Sequence, residues 1–322
     1  MSVVLDIKNL ETRFSTREGY VYAVNGATLQ VKRGETLGIV GESGCGKSVT
    51  MMSVLGLVPT PPGEIIGGQA FFKGNNLLKY SAADLRAIRG KEIGFIFQDP
   101  MTSFNPVLTI GRQLTEPLME HSRCSAREAR EKALEMLNLV GIPNPKVRLK
   151  EYPHQFSGGM RQRAMIAMAL ICDPDLLIAD EPTTALDVTI QAQIVELVNR
   201  LKSSFDMSII WITHDLGVIA GMADRVAVMY GGMVVEEALV DDLYEEPLHP
   251  YTRGLLDSLP KEGTREPLKA IKGAPIIIRE KPAGCPFEHR CGSAKPVCRE
   301  KVPRLTEKSG SHRVACWLYD HA

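Results

Sequence analysis

The chain has 322 residues, of which 44% are hydrophobic and 24% charged, and 38 basic and 38 acidic side chains give a formal net charge of zero. This composition is typical of a folded globular protein and excludes disordered, collagen-like and fibrous chains. A neutral chain also lacks the basic excess of most nucleic-acid-binding domains, so we expect no nucleic-acid partner.

The first hundred residues predict short strands separated by turns, and one strand leads into a glycine-rich loop. Residues 35–40 form an apolar strand, residues 41–46 the loop, and a helix is predicted from Lys47 to Leu57, before the prolines that begin at Pro59. Residues 93–97 predict another strand. The N-terminal residues lack a secretory signal, and no run of 18 apolar residues occurs, so we expect a cytosolic protein.

The segment from 101 to 158 is predicted to be helical. Ser125 and Glu128 have the spacing of a capping box, in which the serine and glutamate side chains close the start of a helix. Gly141 and Pro143 are expected to end that helix. We interpret the segment as a helical insertion within an α/β domain.

Residues 159–235 return to an α/β pattern. Residues 176–179 form a continuous apolar run, typical of a parallel strand buried on both faces. A helix with apolar residues on one face, a strand over 208–213 and a hairpin around Gly231 and Gly232 follow. Alternating strands and helices predict an α/β fold with a parallel sheet, and the tail beyond about 240 is expected to be a separate, less regular appendage.

Residues 41–48 read Gly-Glu-Ser-Gly-Cys-Gly-Lys-Ser, which matches the phosphate-loop pattern GxxxxGK[ST]. Its glycines allow backbone N–H groups to turn toward a phosphate, and the following helix adds its positive end. Lys47 is expected to reach the β- and γ-phosphates, and Ser48 to ligate Mg²⁺. The alternative is a glycine turn that binds no ligand.

Two further motifs fit a nucleotide site. Asp180 and Glu181 end an apolar strand, where Asp180 would hold Mg²⁺ and Glu181 would polarise the water that attacks the γ-phosphate. Ser157, Gly158 and Gly159 can present a hydroxyl and backbone amides to an anion at a helix start. The alternatives are a solvent-facing acidic strand end and an ordinary helix N-cap.

The order of these motifs, together with Gln98, residues 184–187 (Thr-Ala-Leu-Asp) and His214, resembles the ATP-binding cassette (ABC) transporter ATPases over residues 3–240. The resemblance implies a P-loop NTPase with a RecA-like core, an ABC β-subdomain and a helical insertion. It implies that Gln98 contacts Mg²⁺ and water, that His214 contacts the γ-phosphate, and that Asp187 lies in a loop linking two sites.

By the same resemblance, each ATP lies between the phosphate loop of one ATPase and the signature residues Ser157, Gly158 and Gly159 of a second. The family's signature reads LSGGQ, and here Phe156 and Met160 replace its ends. The nucleotide-binding residues expected in the phosphate loop and at the following helix start are Gly41, Ser43, Gly44, Cys45, Gly46, Lys47, Ser48 and Val49. The expected Mg²⁺ ligands are Ser48, Gln98 and Asp180.

Phe14 lies 27 residues before Gly41, where the family has an aromatic ring that stacks on adenine. Tyr20 and Tyr22 are competing candidates, and Phe14 has a plain alternative role in core packing. Gln98 could likewise be a turn residue, and His214 a histidine that caps the end of a strand.

Residues 247–256 and the segment 96–106 resemble the dipeptide/oligopeptide importer branch, and especially its D-type ATP-binding subunits. This resemblance implies a peripheral protein on the cytoplasmic face of the membrane. Its expected partners are an F-type paralogous ATPase or a second copy, two transmembrane permease subunits and an extracytoplasmic peptide-binding protein. Related importers of nickel or glutathione type, and soluble ABC ATPases outside transport, remain alternatives.

Four cysteines cluster in the tail, at Cys285, Cys291, Cys298 and Cys316. Four thiolates can hold a [4Fe–4S] cluster or a zinc ion, and the absence of the paired CxxC motifs of zinc ribbons disfavours zinc. A tail without metal is the third alternative. Members of the peptide branch bind an iron–sulfur cluster through such a tail, so the resemblance implies a structural [4Fe–4S] cluster.

These observations predict three regions. Residues 1–98 and 159–240 would form the ATP-binding core, residues 99–158 the helical subdomain, and residues 241–322 a small irregular extension that binds metal through its cysteines.

Overall fold

The fold was obtained as a computed structural model, which describes residues 2–122, 124–184, 186–259 and 270–319. The strands are β1 (Val3–Thr16), β2 (Gly19–Lys32), β3 (Thr36–Val40), β4 (Gly63–Phe72), β5 (Asn75–Asn76), β6 (Ile93–Ile96), β7 (Leu176–Asp180), β8 (Ser208–Thr213), β9 (Arg225–Tyr230), β10 (Met233–Leu239), β11 (Thr306–Ser309) and β12 (His312–Val314).

The α-helices are α1 (Lys47–Val54), α2 (Ala82–Ile88), α3 (Pro100–Ser103), α4 (Ile110–His121), α5 (Ala126–Leu139), α6 (Pro145–Arg148), α7 (Gly158–Leu170), α8 (Val188–Phe205), α9 (Leu216–Ala220), α10 (Val240–Glu245), α11 (Pro250–Asp257) and α12 (Val297–Glu300). Within the described ranges, none of these helices combines the length and the apolar character that crossing a bilayer requires.

The chain divides into two compact units. The first comprises Met1–Lys32, Thr36–Lys79 and Thr213–Ala322, and the second comprises Arg33–Glu35 and Tyr80–Ile212. The first unit therefore carries the phosphate loop, His214 and the cysteine-rich tail. The second carries the other predicted catalytic and signature residues.

The first unit contains an antiparallel sheet in the order β2-β1-β4-β5. Alternate residues of β1, including Leu5 and Ile7, are fully buried, so one face of this sheet forms a core. Its second group of strands runs β11-β12-β10-β9-β3, with β3 parallel to β9 and the other neighbours antiparallel. Gly231 and Gly232 connect β9 to β10, which confirms the predicted hairpin.

The tail is more closely integrated into the first unit than the sequence indicates. β12 pairs with β10 through Glu236 opposite Val314 and Glu237 opposite Arg313. The Glu236 side chain is fully buried and accepts hydrogen bonds from the backbone N–H groups of Leu248 and His249 at 2.6 and 2.8 Å. The tail is therefore attached by strand pairing and by a buried carboxylate.

The second unit contains the parallel strands β6, β7 and β8. Ile178 of β7 lies opposite Phe95 of β6 and Ile210 of β8, and β7 is buried along its whole length, as its apolar run predicts. Helix α8 buries the predicted apolar face, formed by Ile194, Leu197, Val198 and Leu201.

Helix α5 of the second unit begins and ends as predicted. The Ser125 and Glu128 side chains form the expected capping box of α5, and Gly141 follows its end with φ of 77°.

Helix α1 in the first unit ends at Val54 rather than Leu57, because the chain already leaves helical geometry at Leu55 and Gly56 adopts a left-handed φ.

Candidate active site

The phosphate loop joins β3 to α1 in the first unit, and two glycines fix its path. A Cβ atom on Gly41 would lie 2.3 Å from the carbonyl oxygen of Met229, and one on Gly46 would lie 2.3 Å from that of Ala23. Both also have positive φ angles, which side chains other than glycine rarely adopt. The loop is therefore built from glycine at the two positions where backbone packs on backbone.

Lys47 arches back over this loop. Its Nζ donates hydrogen bonds to the carbonyl oxygens of Gly41 at 2.7 Å and Glu42 at 3.1 Å. Ser43 and Gly44 are exposed on the rim, whereas Gly46 is buried below. Cys45 is also buried, and burial raises the pKa of its thiol, so it acts as a neutral packing group. Ser48 and Val49, in the first turn of α1, are half-buried.

The loop has contacts that sequence reasoning missed. The backbone N–H of Glu42 donates to the hydroxyl of Tyr251 at 2.8 Å, and the Glu42 carboxylate pairs with Arg290 at 2.6 Å. The side-chain hydrogen bond to Glu42 raises the pKa of Arg290 above its ordinary value. Because these partners lie more than 200 positions away in the chain, no local pattern could have indicated them.

The three aromatic candidates for adenine stacking lie on the hairpin of β1 and β2. Phe14 is half-buried and lies opposite Val21 and Gly63 on the neighbouring strands. The ring of Tyr20 instead packs against the guanidinium of Arg13, at 4.1 Å from the ring centroid. Tyr22 lies opposite the same Arg13 on the neighbouring strand. Phe14 thus differs from Tyr20, whose ring is engaged by Arg13.

His214 follows β8 and has an exposed side chain. The residues beside it are fixed: the Asp215 N–H donates to Thr213 Oγ1 at 3.0 Å, and the Asp215 side chain caps α9 by accepting from the Gly217 N–H at 2.9 Å. The turn after β8 therefore presents the imidazole on a rigid support.

Glu181 lies directly after β7 in the second unit, with Asp180 as the last residue of the strand. The Glu181 backbone has φ of 46°, a strained conformation for a residue with a side chain. Its Oε2 accepts hydrogen bonds from Gln98 Nε2 at 3.1 Å and Thr184 Oγ1 at 2.9 Å. The structure therefore brings together two of the predicted catalytic residues, Gln98 and Glu181, and orients the carboxylate through Thr184.

The signature residues stand at the start of α7. Ser157 caps this helix by accepting a hydrogen bond from the Met160 N–H at 3.3 Å, and Gly158 is exposed beside it. Gly159 is half-buried. Phe156, which replaces the first residue of the family signature, is only 3% exposed, so its side chain packs in the interior.

Asp187 caps α8 by accepting from the Ile190 N–H at 2.9 Å. It closes the short segment that begins at Thr184, whose Ala185 lies outside the described residues. The segment thus connects Thr184, which orients the Glu181 carboxylate, to helix α8, whose start is capped by Asp187.

The four tail cysteines are half-buried in the first unit. Burial and the nearby thiols of Cys298, Cys316 and Cys291 raise the pKa of Cys285 to about 12. The Cys285 N–H also donates to the Cys298 carbonyl at 2.7 Å. Among the described residues, however, no three or more His, Cys, Asp or Glu side chains stand in a metal-binding arrangement. The expected metal-binding extension is thus not established by the geometry.

Comparison with known proteins agrees with the motifs. Residues 24–184 match the family "ABC transporter", and residues 235–298 match "Oligopeptide/dipeptide transporter, C-terminal region". The chain is 54% identical to a probable peptide ABC transporter ATP-binding protein of Sinorhizobium fredii, over 98% of this chain and 95% of the relative. It is 53% identical to the dipeptide transport ATP-binding protein DppD of Bacillus subtilis, over 99% of this chain and 96% of the relative.

A similar solved structure is the dimeric ATP-binding cassette MJ0796, in a post-hydrolysis state bound to ADP and Pi. It has a TM-score of 0.66 and 29% identity, and the match covers 73% of this chain and 98% of that one. The fold, the order of the motifs and the relatives agree, and the chain belongs to the ABC transporter ATPase family, with a C-terminal region of the oligopeptide/dipeptide transporter type.

Proposed function

We propose that this chain is the ATP-binding and ATP-hydrolysing subunit of an importer for dipeptides or oligopeptides. The observation that carries the proposal is the Glu181 carboxylate, held by Gln98 and Thr184 at the carboxyl end of a buried parallel strand. The peptide substrate is proposed from relatives whose names describe peptide transport. Within the chain we assign residues 1–98 and 159–240 to the ATP-binding core, 99–158 to the helical subdomain and 241–322 to the extension.

The phosphate loop supplies the groups that bind the triphosphate. Gly41 and Gly46 pack against the backbone carbonyl groups of Met229 and Ala23, which fixes the path of the loop, and the loop N–H groups can bind a phosphate. Lys47 already donates to loop carbonyls, and its ammonium can transfer those hydrogen bonds to the β- and γ-phosphates. Phe14 is proposed as the ring that stacks on adenine.

Ser48, Gln98 and Asp180 would hold Mg²⁺, because hydroxyl, amide and carboxylate oxygens are the ligands that this ion prefers. When bound, the ion neutralises charge on the β- and γ-phosphates. Glu181 would accept a proton from the attacking water, and Gln98 would help to orient that water. His214 would donate to the γ-phosphate from its exposed position after β8.

We further propose that a second ATPase completes each site, with Ser157, Gly158 and Gly159 contacting the γ-phosphate bound by the partner. The exposed start of α7 supports this role, because its backbone N–H groups and positive dipole end face outward. The partner is an F-type paralogous ATPase or a second copy of this chain. Two permease subunits and an extracytoplasmic peptide-binding protein would complete an importer, with this chain on the cytoplasmic face of the membrane.

Reconstitution tests this function. The chain is expressed with its partner ATPase and permeases, placed in vesicles, and assayed for ATP hydrolysis with peptide-loaded binding protein. We expect peptides to stimulate hydrolysis severalfold and accumulation of labelled peptide to depend on ATP. Stimulation by nickel chelates or by glutathione instead would identify one of the related importers, and hydrolysis independent of any permease would favour a soluble ABC ATPase.

We also propose that Cys285, Cys291, Cys298 and Cys316 bind a structural [4Fe–4S] cluster, with zinc as the alternative. The support is the donor set and the electrostatic proximity of the thiols: Cys285 is influenced by the other three, and Cys316 by Cys291 and Cys298. When bound, the cluster would cross-link a tail with few apolar residues. The test is anaerobic purification with visible absorbance and iron, sulfide and zinc assays, in which one zinc per chain without iron would refute the cluster.

A further inference from the structure

An acidic residue occupies the second position of a loop that binds an anion. Glu42 follows Gly41 directly, and its side chain retains 24% exposure. A carboxylate next to the phosphate-binding amides opposes a triphosphate by like-charge repulsion, and the repulsion grows where water is excluded. Neutralising the charge of Glu42 would therefore favour the binding of a nucleotide.

Arg290 provides this neutralisation through two parallel hydrogen bonds. Its Nη1 lies 2.6 Å from Glu42 Oε2, and its Nη2 lies 3.1 Å from Glu42 Oε1, which is the bidentate geometry that favours arginine over lysine. The Arg290 side chain is only 2% exposed. Solvent and salt consequently screen this ion pair much less than they screen a surface pair.

Further contacts keep the guanidinium in place. Its Nε donates to the carbonyl oxygen of Lys272 at 2.9 Å, and its carbon atom lies 5.7 and 5.8 Å from the ring centroids of Tyr230 and Phe287. Both rings are nearly buried and pack edge to face at 5.1 Å. Arg290 therefore meets Glu42 from a rigid position.

Glu42 is held at its backbone as well. Its N–H donates to the hydroxyl of Tyr251, a fully buried residue of α11, and its carbonyl oxygen accepts from Lys47. The ring of Tyr251 packs at 4.7 Å from Tyr230 and at 5.3 Å from Phe287. The cluster of Tyr230, Tyr251 and Phe287 thus positions two groups, the Tyr251 hydroxyl and the Arg290 guanidinium. Both of these groups bind Glu42.

Tyr251, Lys272 and Arg290 all belong to the tail, outside the matched cassette at residues 24–184. We propose that Arg290 is a positioning residue for the phosphate loop, and that by neutralising Glu42 it makes the affinity for nucleoside di- and triphosphates depend on the C-terminal region. This inference rests on the proposed function, because it requires that the loop bind a nucleotide.

The test is calorimetric titration of the full chain and its variants with MgATP and MgADP. Arg290→Met leaves Glu42 charged beside the phosphates and is expected to raise both dissociation constants about tenfold or more. Glu42→Gln leaves the positive charge of Arg290 without its counter-charge beside the phosphates, so it is expected to lower them. The double variant, Arg290→Met with Glu42→Gln, has no charge at position 42 that needs neutralising. Its dissociation constants are therefore expected to return toward those of the unmodified chain.

The matched control is Arg299→Met, which removes an exposed ion pair of the same tail, Arg299 with Glu288 at 2.7 Å, and is expected to change binding less than twofold. If Arg290→Met does not fold, Glu42→Gln carries the test by itself: dissociation constants below those of the unmodified chain are expected, and equal or higher constants would contradict the inference.

Three results separate the possibilities. Equal weakening by Arg290→Met and Glu42→Gln would mean that the pair is merely structural, and it would overturn the inference. Unchanged binding by folded Arg290→Met would overturn it as well. An unmodified chain that binds neither nucleotide would refute the proposed function itself.

Discussion

His312 Nε2 lies 2.7 Å from Oε1 of Glu236, and both side chains are almost completely buried. Glu236 also accepts the backbone N–H groups of Leu248 and His249, so a single carboxylate joins three points of the tail to β10. This contact attaches the segment that carries the partners of the phosphate loop.

Glu236→Ala is expected to destabilise the chain by roughly 3 kcal/mol, because it leaves two buried N–H groups and an imidazole without their acceptor. Urea unfolding measures the change. Glu245→Ala, at an exposed position of α10, is the control and is expected to lie within about 0.5 kcal/mol of the unmodified chain. Equal stability of the two variants would contradict this role of Glu236.

Stability is expected to fall as the pH drops from about 6.5 toward 4. Burial lowers the pKa of His249 from 6.5 to about 4, against the opposing charge of Glu236. Between these pH values the unfolded chain binds a proton at His249 that the folded chain does not bind. The contribution of His249 to stability, present in full above pH 6.5, therefore decreases by roughly 3 kcal/mol across this range.

The measurement is urea unfolding at several pH values. His249→Asn retains a side chain that can accept a hydrogen bond, as Nδ1 of His249 does from the Tyr251 N–H at 3.1 Å, but it does not titrate. This variant is expected to show a flatter profile, and an unaltered slope would argue against His249 as the source.

Glu181→Gln is expected to reduce the turnover of ATP by at least about 100-fold while ATP still binds, because the amide cannot take a proton from the attacking water. Lys47→Ala is expected instead to weaken the binding of ATP, since it removes charge-assisted contacts worth about 1.5–3 kcal/mol each. Hydrolysis assays and calorimetry separate the two effects. Undiminished turnover in Glu181→Gln would remove Glu181 from its proposed role.

Ser157→Ala and Ser125→Ala form a matched pair, because each removes a serine that caps a long helix. Both are expected to lower stability by about 1 kcal/mol. Only Ser157→Ala is expected to impair ATP-dependent dimer formation, measured by size-exclusion chromatography with MgATP in a Glu181→Gln background. Equal dimer formation by the two variants would contradict the proposed contact with a partner's nucleotide.

The sequence predicted those parts of the fold that depend on local patterns. The apolar run of β7, the capping box at Ser125 and the hairpin at Gly231 each follow from the residues themselves. The pairing of Glu42 with Arg290 could not be predicted, because 248 positions separate the two residues and many charged side chains compete for each. The support of Glu181 by Thr184 is local, but it depends on a left-handed backbone at Glu181 that no residue type there indicates.

The pairing of β12 with β10 also bears on solubility. Val234, Val235 and Ala238 of β10 are buried, and without the tail this strand would present unpaired N–H and carbonyl groups as an open template for another chain. The added strand β11 is instead short and mostly exposed, and it carries Glu307 and Lys308, features that discourage edge-to-edge aggregation. A chain truncated before residue 306 would consequently be prone to self-association, even with every nucleotide motif intact.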